Sequence, residues 1–269
     1  MSRLPQPEYS VLFLRGLITA IGGLAFIFLP GSLIALLSQR GVRYQRGMLL
    51  WGMAVLLVAL LPATFLTSLA RQIMLGAGAL TRPFMPFLVV LLGSALTSLF
   101  VGGAMYALLR WRRIGPDELP GSGVSVGLGS GLLLKVFLGF ALLGAGMRLL
   151  FGDTSTAELA RIASQPWPEL VAGLLALVVD RIAVVSVSAG MGLLAGRALL
   201  EKRLVWLWLA VAAGTVFNWV YAVIGLTLGD SSLIASLVAI GYEAVLIFLV
   251  VRWLTAQFAP RSQSAAGSS

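Results

Sequence analysis

Four ionisable residues stand where charge is expensive. Lys135, Asp180, Arg181 and Glu243 each lie well inside a long apolar run. A charge at the centre of a bilayer costs about 2.5–3.5 kcal/mol on insertion scales. Two are cations and two are anions, so full pairing is available. Lys135 is near the middle of the fourth run, and Asp180 and Glu243 are each about eleven residues into the fifth and seventh. Runs that alternate in direction can bring these positions to one depth. Two chemistries fit such a cluster. One is an ion or proton path, which needs a carboxyl able to change protonation, and only Asp180 and Glu243 are placed for that. The other is structural: buried pairs that fix helix register, with Lys135 snorkelling towards an interface. The structural reading is preferred.

Composition narrows the choice further. The chain has 269 residues with no His and no Cys. That removes His-based acid/base pairs, haem axial His, zinc sites of the His/Cys kind, thiol nucleophiles and disulfides. No P-loop, Rossmann glycine pattern or carboxylate-rich metal site is present, so neither metal nor cofactor is expected. Hydrophobic residues make up 59%, charged residues 11%, and mean hydropathy is +0.99. A soluble domain is typically about 25% charged.

The elements that must position these groups are membrane spans. A spanning helix needs roughly 20 mostly apolar residues. Seven runs qualify: 10–37, 47–70, 84–111, 124–150, 169–200, 204–228 and 232–258. The fold class is therefore all-α, a polytopic membrane bundle of about seven helices. It forms one domain over 1–258, followed by a disordered cytoplasmic tail over 259–269. The breaks are polar or rich in Gly and Pro, as in 71–86 and in GPDELPGSG over 115–123. Only 156–164 reads as a surface helix. The net charge of +9 is read through the positive-inside rule, so no nucleic-acid partner is expected. One face collects Arg40, Arg43, Arg46, Arg110, Arg112, Arg113, Arg197, Lys202, Arg203, Arg252 and Arg261, eleven in all. The other collects Arg3, Arg15, Arg71, Arg82, Arg148 and Arg161, six in all. This places the N-terminus outside and the C-terminus in the cytoplasm of a prokaryotic-type cytoplasmic membrane. No cleavable signal peptide is expected, and membrane lipids are expected partners.

Small and aromatic residues follow membrane rules. Glycines inside the spans, such as Gly127, Gly129, Gly131, Gly192 and Gly196, predict close helix packing within the bundle in preference to a dimer seam. Trp51, Trp111, Trp167, Trp206, Trp208 and Trp253 fall near span ends as an interfacial belt. Trp219 lies mid-span beside Asn218, whose amide suits an interhelical hydrogen bond.

Four segments between 90 and 220 stand in successive runs. The first is Phe100-Val101-Gly102-Gly103-Ala104-Met105-Tyr106, and the second is Gly127-Leu128-Gly129-Ser130-Gly131-Leu132-Leu133-Leu134. The third is Asp180-Arg181 with Ser188 seven residues on, and the fourth is Gly214 with Asn218 four residues on. Together they resemble the YhfC family of intramembrane metalloproteases, relatives of the CPBP glutamic proteases. That family carries G-x-F-E-E-x-x-R-Y, then G-L-G-H-G-x-x-E, then Glu-Arg with a later His, then His-x-x-x-Asn/Asp. Here Phe100, Tyr106, the glycine frame, Arg181 and Asn218 match. Val101 and Gly102 stand where the two glutamates belong, and Met105 where the Arg belongs. Ser130, Ser188 and Gly214 stand at the His positions, and Leu134 at the second-motif glutamate.

The resemblance implies a protease-like bundle without its chemistry. Glutamate would activate water, and His would supply metal or oxyanion contacts. Val, Gly, Leu and Met can do neither, and Ser130 and Ser188 offer only weak hydrogen bonds. Asp180-Arg181 then reads as the family's acid–Arg pair kept for structure, with Lys135 as a local partner. The expected function is that of a pseudoprotease, an accessory or scaffold subunit or a binding protein for another membrane protein or a lipid. The superfamily has a precedent in the non-catalytic scaffold subunit of gamma-secretase. Two alternatives stay open: a proton- or ion-coupled transporter of small solutes, and an active protease with a non-standard site built on Asp180 or Glu243.

Overall fold

The structure, a computed structural model, describes residues 9–42, 44–76, 84–229 and 232–258, with all side chains except those of Pro30, Leu134, Lys135 and Val136. The tail 259–269 expected to be disordered lies outside the described residues, as do Arg3, Arg43, Arg82 and Arg261 from the charge count. Among the described residues there are eight helices and no strand: α1 (Tyr9–Gln39), α2 (Arg46–Gly76), α3 (Met85–Trp111), α4 (Leu119–Leu150), α5 (Ala157–Ser164), α6 (Trp167–Leu200), α7 (Val205–Leu228) and α8 (Leu233–Phe258).

All but α5 are long and apolar enough to cross a membrane. The shortest of the seven, α7, has 24 residues, about 36 Å at 1.5 Å per residue. That exceeds the roughly 30 Å hydrocarbon core of a bilayer. Large side chains point outwards on several helices: Phe28, Leu61, Phe65, Phe84 and Phe137 are all exposed. In water such a surface would drive aggregation, and in lipid it is the matched solvent. The chain is an all-α integral membrane bundle.

α4 and α6 form its centre, each about half buried, while every other span is under a third. α1 and α2 flank α4, α7 and α8 flank α6, and α3 bridges α2 and α7. Glycine lets the central pair meet backbone to backbone. A methyl group on Gly127 would run into the Ser188 carbonyl, and one on Gly192 into the Gly123 carbonyl. Gly129 likewise faces the Leu49 carbonyl of α2, and a Cβ at Gly16 would sit 2.6 Å from the Leu150 nitrogen. These glycines pack within the chain, as their spacing predicted.

Two span limits differ from the sequence reading. α2 runs to Gly76, beyond the predicted end at 70, so Arg71 is helical. α4 begins at Leu119, five residues before the predicted 124, so half of GPDELPGSG is helix. Pro120 is the reason: at the first helical turn its missing N–H costs nothing and its fixed φ suits the helix. The predicted surface helix is α5, where Thr156 caps the N-terminus by accepting from the Leu159 N–H at 3.4 Å. It covers one end of the bundle through Leu159, Ile162 and Ala163, which pack against Leu12 and Leu149.

Candidate functional site

The positions singled out by the family resemblance come from four helices, and five of them meet at one place. Val101 of α3, Ser130 of α4, Ser188 of α6, and Gly214 and Asn218 of α7 all line a cavity of about 200 Å³ inside the bundle. Arg181 is also in its wall. Gly102 lies just behind it, where a Cβ would touch Val211 Cγ2 at 3.4 Å. Met105 is one turn further along α3, fully buried in the main apolar core. The Leu134 side chain lies outside the described residues.

The geometry limits the chemistry. Among the described residues, no carboxylate, imidazole or thiol lines this cavity. Its polar atoms are hydroxyls, one amide and one guanidinium. Ser130 Oγ donates to the Gly127 carbonyl at 2.9 Å, so that hydroxyl is held by its own helix. A serine nucleophile needs an adjacent base, and none is in the wall. Among the described residues, no three carboxylates gather to hold a metal ion.

Of the four intramembrane charges, two are joined. Arg181 Nε lies 2.9 Å from Asp180 Oδ2. Asp180 is buried, and the Arg181 guanidinium also stands over the Phe26 ring of α1, 5.3 Å from its centroid. Glu243 is fully buried on α8 and is not in the wall of this cavity. Neither Arg181 nor Glu243 is an isolated charge. The Lys135 side chain lies outside the described residues.

Sequence reasoning missed several groups. Thr97 and Ser98 line the same cavity from α3. Ser98 is buried, and its Oγ has no hydrogen-bond partner. Both precede Val101 by about one turn, so helical spacing from Val101 was the available signal. Arg15, counted in the sequence only by its side of the membrane, is buried in α1. It donates to the carbonyls of Ile162 at 2.8 Å and Gln165 at 2.5 Å, and stacks on Trp167 at 4.6 Å. It thereby fastens the α5–α6 connection to α1. Asn218 faces the cavity, while its neighbour Trp219 donates to the Phe87 carbonyl of α3 at 3.4 Å.

A second, larger cavity follows the first along α6 and α7. Leu177 and Tyr221 belong to it, while Arg181 and Asn218, about one turn away on the same helices, belong to the smaller one. No family model, curated protein or solved structure matches the chain.

Proposed function

We propose that the protein is a non-catalytic, protease-like membrane bundle that serves as an accessory or scaffold subunit, holding another membrane protein or a lipid. The observation that carries this reading is the smaller cavity. Val101, Ser130, Ser188, Gly214 and Asn218 converge on it from α3, α4, α6 and α7, yet among the described residues its wall holds no acid or base able to activate water. The resemblance to the YhfC family gives the same positions their lost roles. In this reading the bundle lies in a prokaryotic-type cytoplasmic membrane with α5 and the N-terminus outside and the basic loop ends inside.

A transporter would draw support from the two cavities in series. Against it, neither intramembrane carboxyl, Asp180 or Glu243, borders a cavity. The carboxyls that do, Glu158 and Glu169, line only the larger one, whereas proton coupling across the bilayer needs a carboxyl within the span that meets the solute path. Purification from native membrane in mild detergent tests the proposal. A stoichiometric membrane-protein partner is expected. A lone monomer carrying neither protein nor lipid contradicts it, and solute flux in proteoliposomes that is lost in Glu243→Gln establishes the transporter in its place.

A further inference from the structure

The larger cavity lies apart from the motif-lined one and has a different character. Its volume is about 640 Å³, within the roughly 300–1,000 Å³ of pockets that enclose a small ligand. Its depth is apolar, with Leu174 and Leu177 of α6, Ile224 of α7 and Ala239 of α8. α7 and α8 touch only sparsely, so the cavity can admit a chain from the side. Its mouth is charged: Glu158 and Arg161 of α5 and Glu169 of α6 all line it. Among the described residues, none of these three is in an ion pair.

A fourth polar group lies deeper. Thr19 of α1 lines the cavity, is fully buried, and its Oγ1 has no hydrogen-bond partner. Thr64, Thr67, Thr215 and Thr227 each donate to the carbonyl four residues back, which satisfies a helical threonine without outside help. Thr19 makes no such bond. It follows Arg15 by one turn of α1, and Arg15 grips the α5–α6 connection at the mouth. Thr19 therefore sits about 6 Å below that level, the depth of an ester group beneath a lipid headgroup.

We propose that this cavity binds one zwitterionic phospholipid. The ammonium pairs with Glu158 and Glu169, the phosphate with Arg161, and the Thr19 hydroxyl donates to an ester carbonyl. One acyl chain fills the apolar depth between α6, α7 and α8. An anionic lipid without an ammonium would face two carboxylates and one guanidinium, a net repulsion. The site is independent of any role of the smaller cavity.

Native mass spectrometry of the full chain in neutral detergent tests this with dioleoyl phosphatidylethanolamine and dioleoyl phosphatidylglycerol. One phosphatidylethanolamine per chain is expected, at least tenfold preferred over phosphatidylglycerol. Gly173 lines the cavity and has open space where a Cβ would stand, so Gly173→Leu fills it and should cut binding at least tenfold. Arg161 is exposed, so Arg161→Glu should fold normally and also weaken binding about tenfold, whatever the fate of Gly173→Leu. Equal occupancy by the two lipids, or unchanged binding in Arg161→Glu, overturns the proposal.

Discussion

Arg181 Nε stands 2.9 Å from Asp180 Oδ2, an ion pair between consecutive residues of α6. Neighbours in sequence do not face each other on a helix, so the long Arg side chain must fold back to reach the acid. The guanidinium can then line the smaller cavity as part of a neutral pair. Removing one partner of a buried pair unbalances the charge that stays behind, at a cost of about 3–5 kcal/mol. Asp180→Asn is expected to lose about 3 kcal/mol, with Asp180→Asn/Arg181→Met recovering more than half. Denaturant titration in detergent micelles measures both.

The α4–α6 seam tolerates no side chain at its closest points. Gly127→Ala places a methyl against the Ser188 carbonyl and should destabilise by about 1–3 kcal/mol through overpacking. Gly103 of α3 has nothing within 4 Å of a Cβ. Gly103→Ala should therefore be neutral or stabilise by up to about 1 kcal/mol, the helix preference of Ala over Gly. Thermal melts of the two variants side by side separate packing from propensity.

Arg15 ties α1 to the far end of α5. Arg15→Met removes two hydrogen bonds to backbone carbonyls and the stacking on Trp167. Bonds to charged groups contribute about 1.5–3 kcal/mol each. The expected outcome is local: at least tenfold faster amide exchange in 157–166, with α4 and the core of α6 unchanged. Hydrogen-exchange mass spectrometry reads this directly.

Asp153, in the loop between α4 and α5, titrates with its pKa lowered to about 2. Its causes are hydrogen bonds from Ser155 and then from Arg148, whose Nε donates to Oδ2 at 2.7 Å. A lowered folded-state pKa means that protonation opposes the folded loop. Its stabilising effect is full above the ordinary aspartate value of 3.8 and is lost as pH falls through about 2. Carboxyl carbon shifts of Asp153, followed from pH 5 to 1.5, should show this midpoint. Amide protection of Ser155 should fall with it and lose its pH dependence in Asp153→Asn.

The membrane architecture was legible because length and apolarity dominate it. The seven spans, α5 and the internal role of the glycines all follow from runs, caps and small-residue spacing. The start of α4 at Leu119 was not legible, because a Pro-Gly pair reads equally as a turn or a helix start. At the candidate site, the family resemblance, and no local pattern of this chain, marked Ser130, Ser188, Gly214 and Asn218, which do meet. Ser98, Thr97 and Thr19 gave no signal of their own. Small hydroxyl residues are common in apolar helices, and most are satisfied by their own backbone. The burial of Arg15 gave no signal for a different reason: its partners Ile162 and Gln165 lie far along the chain, beyond any local pattern.

The central claim is that the bundle lacks proteolytic chemistry. The most direct measurement reconstitutes the purified chain in proteoliposomes with a single-span reporter substrate and follows cleavage by gel. No cleavage above protein-free vesicles is expected for the wild type, Asp180→Asn and Glu243→Gln alike. Cleavage by the wild type that disappears in Asp180→Asn, with that variant still folded, would contradict it.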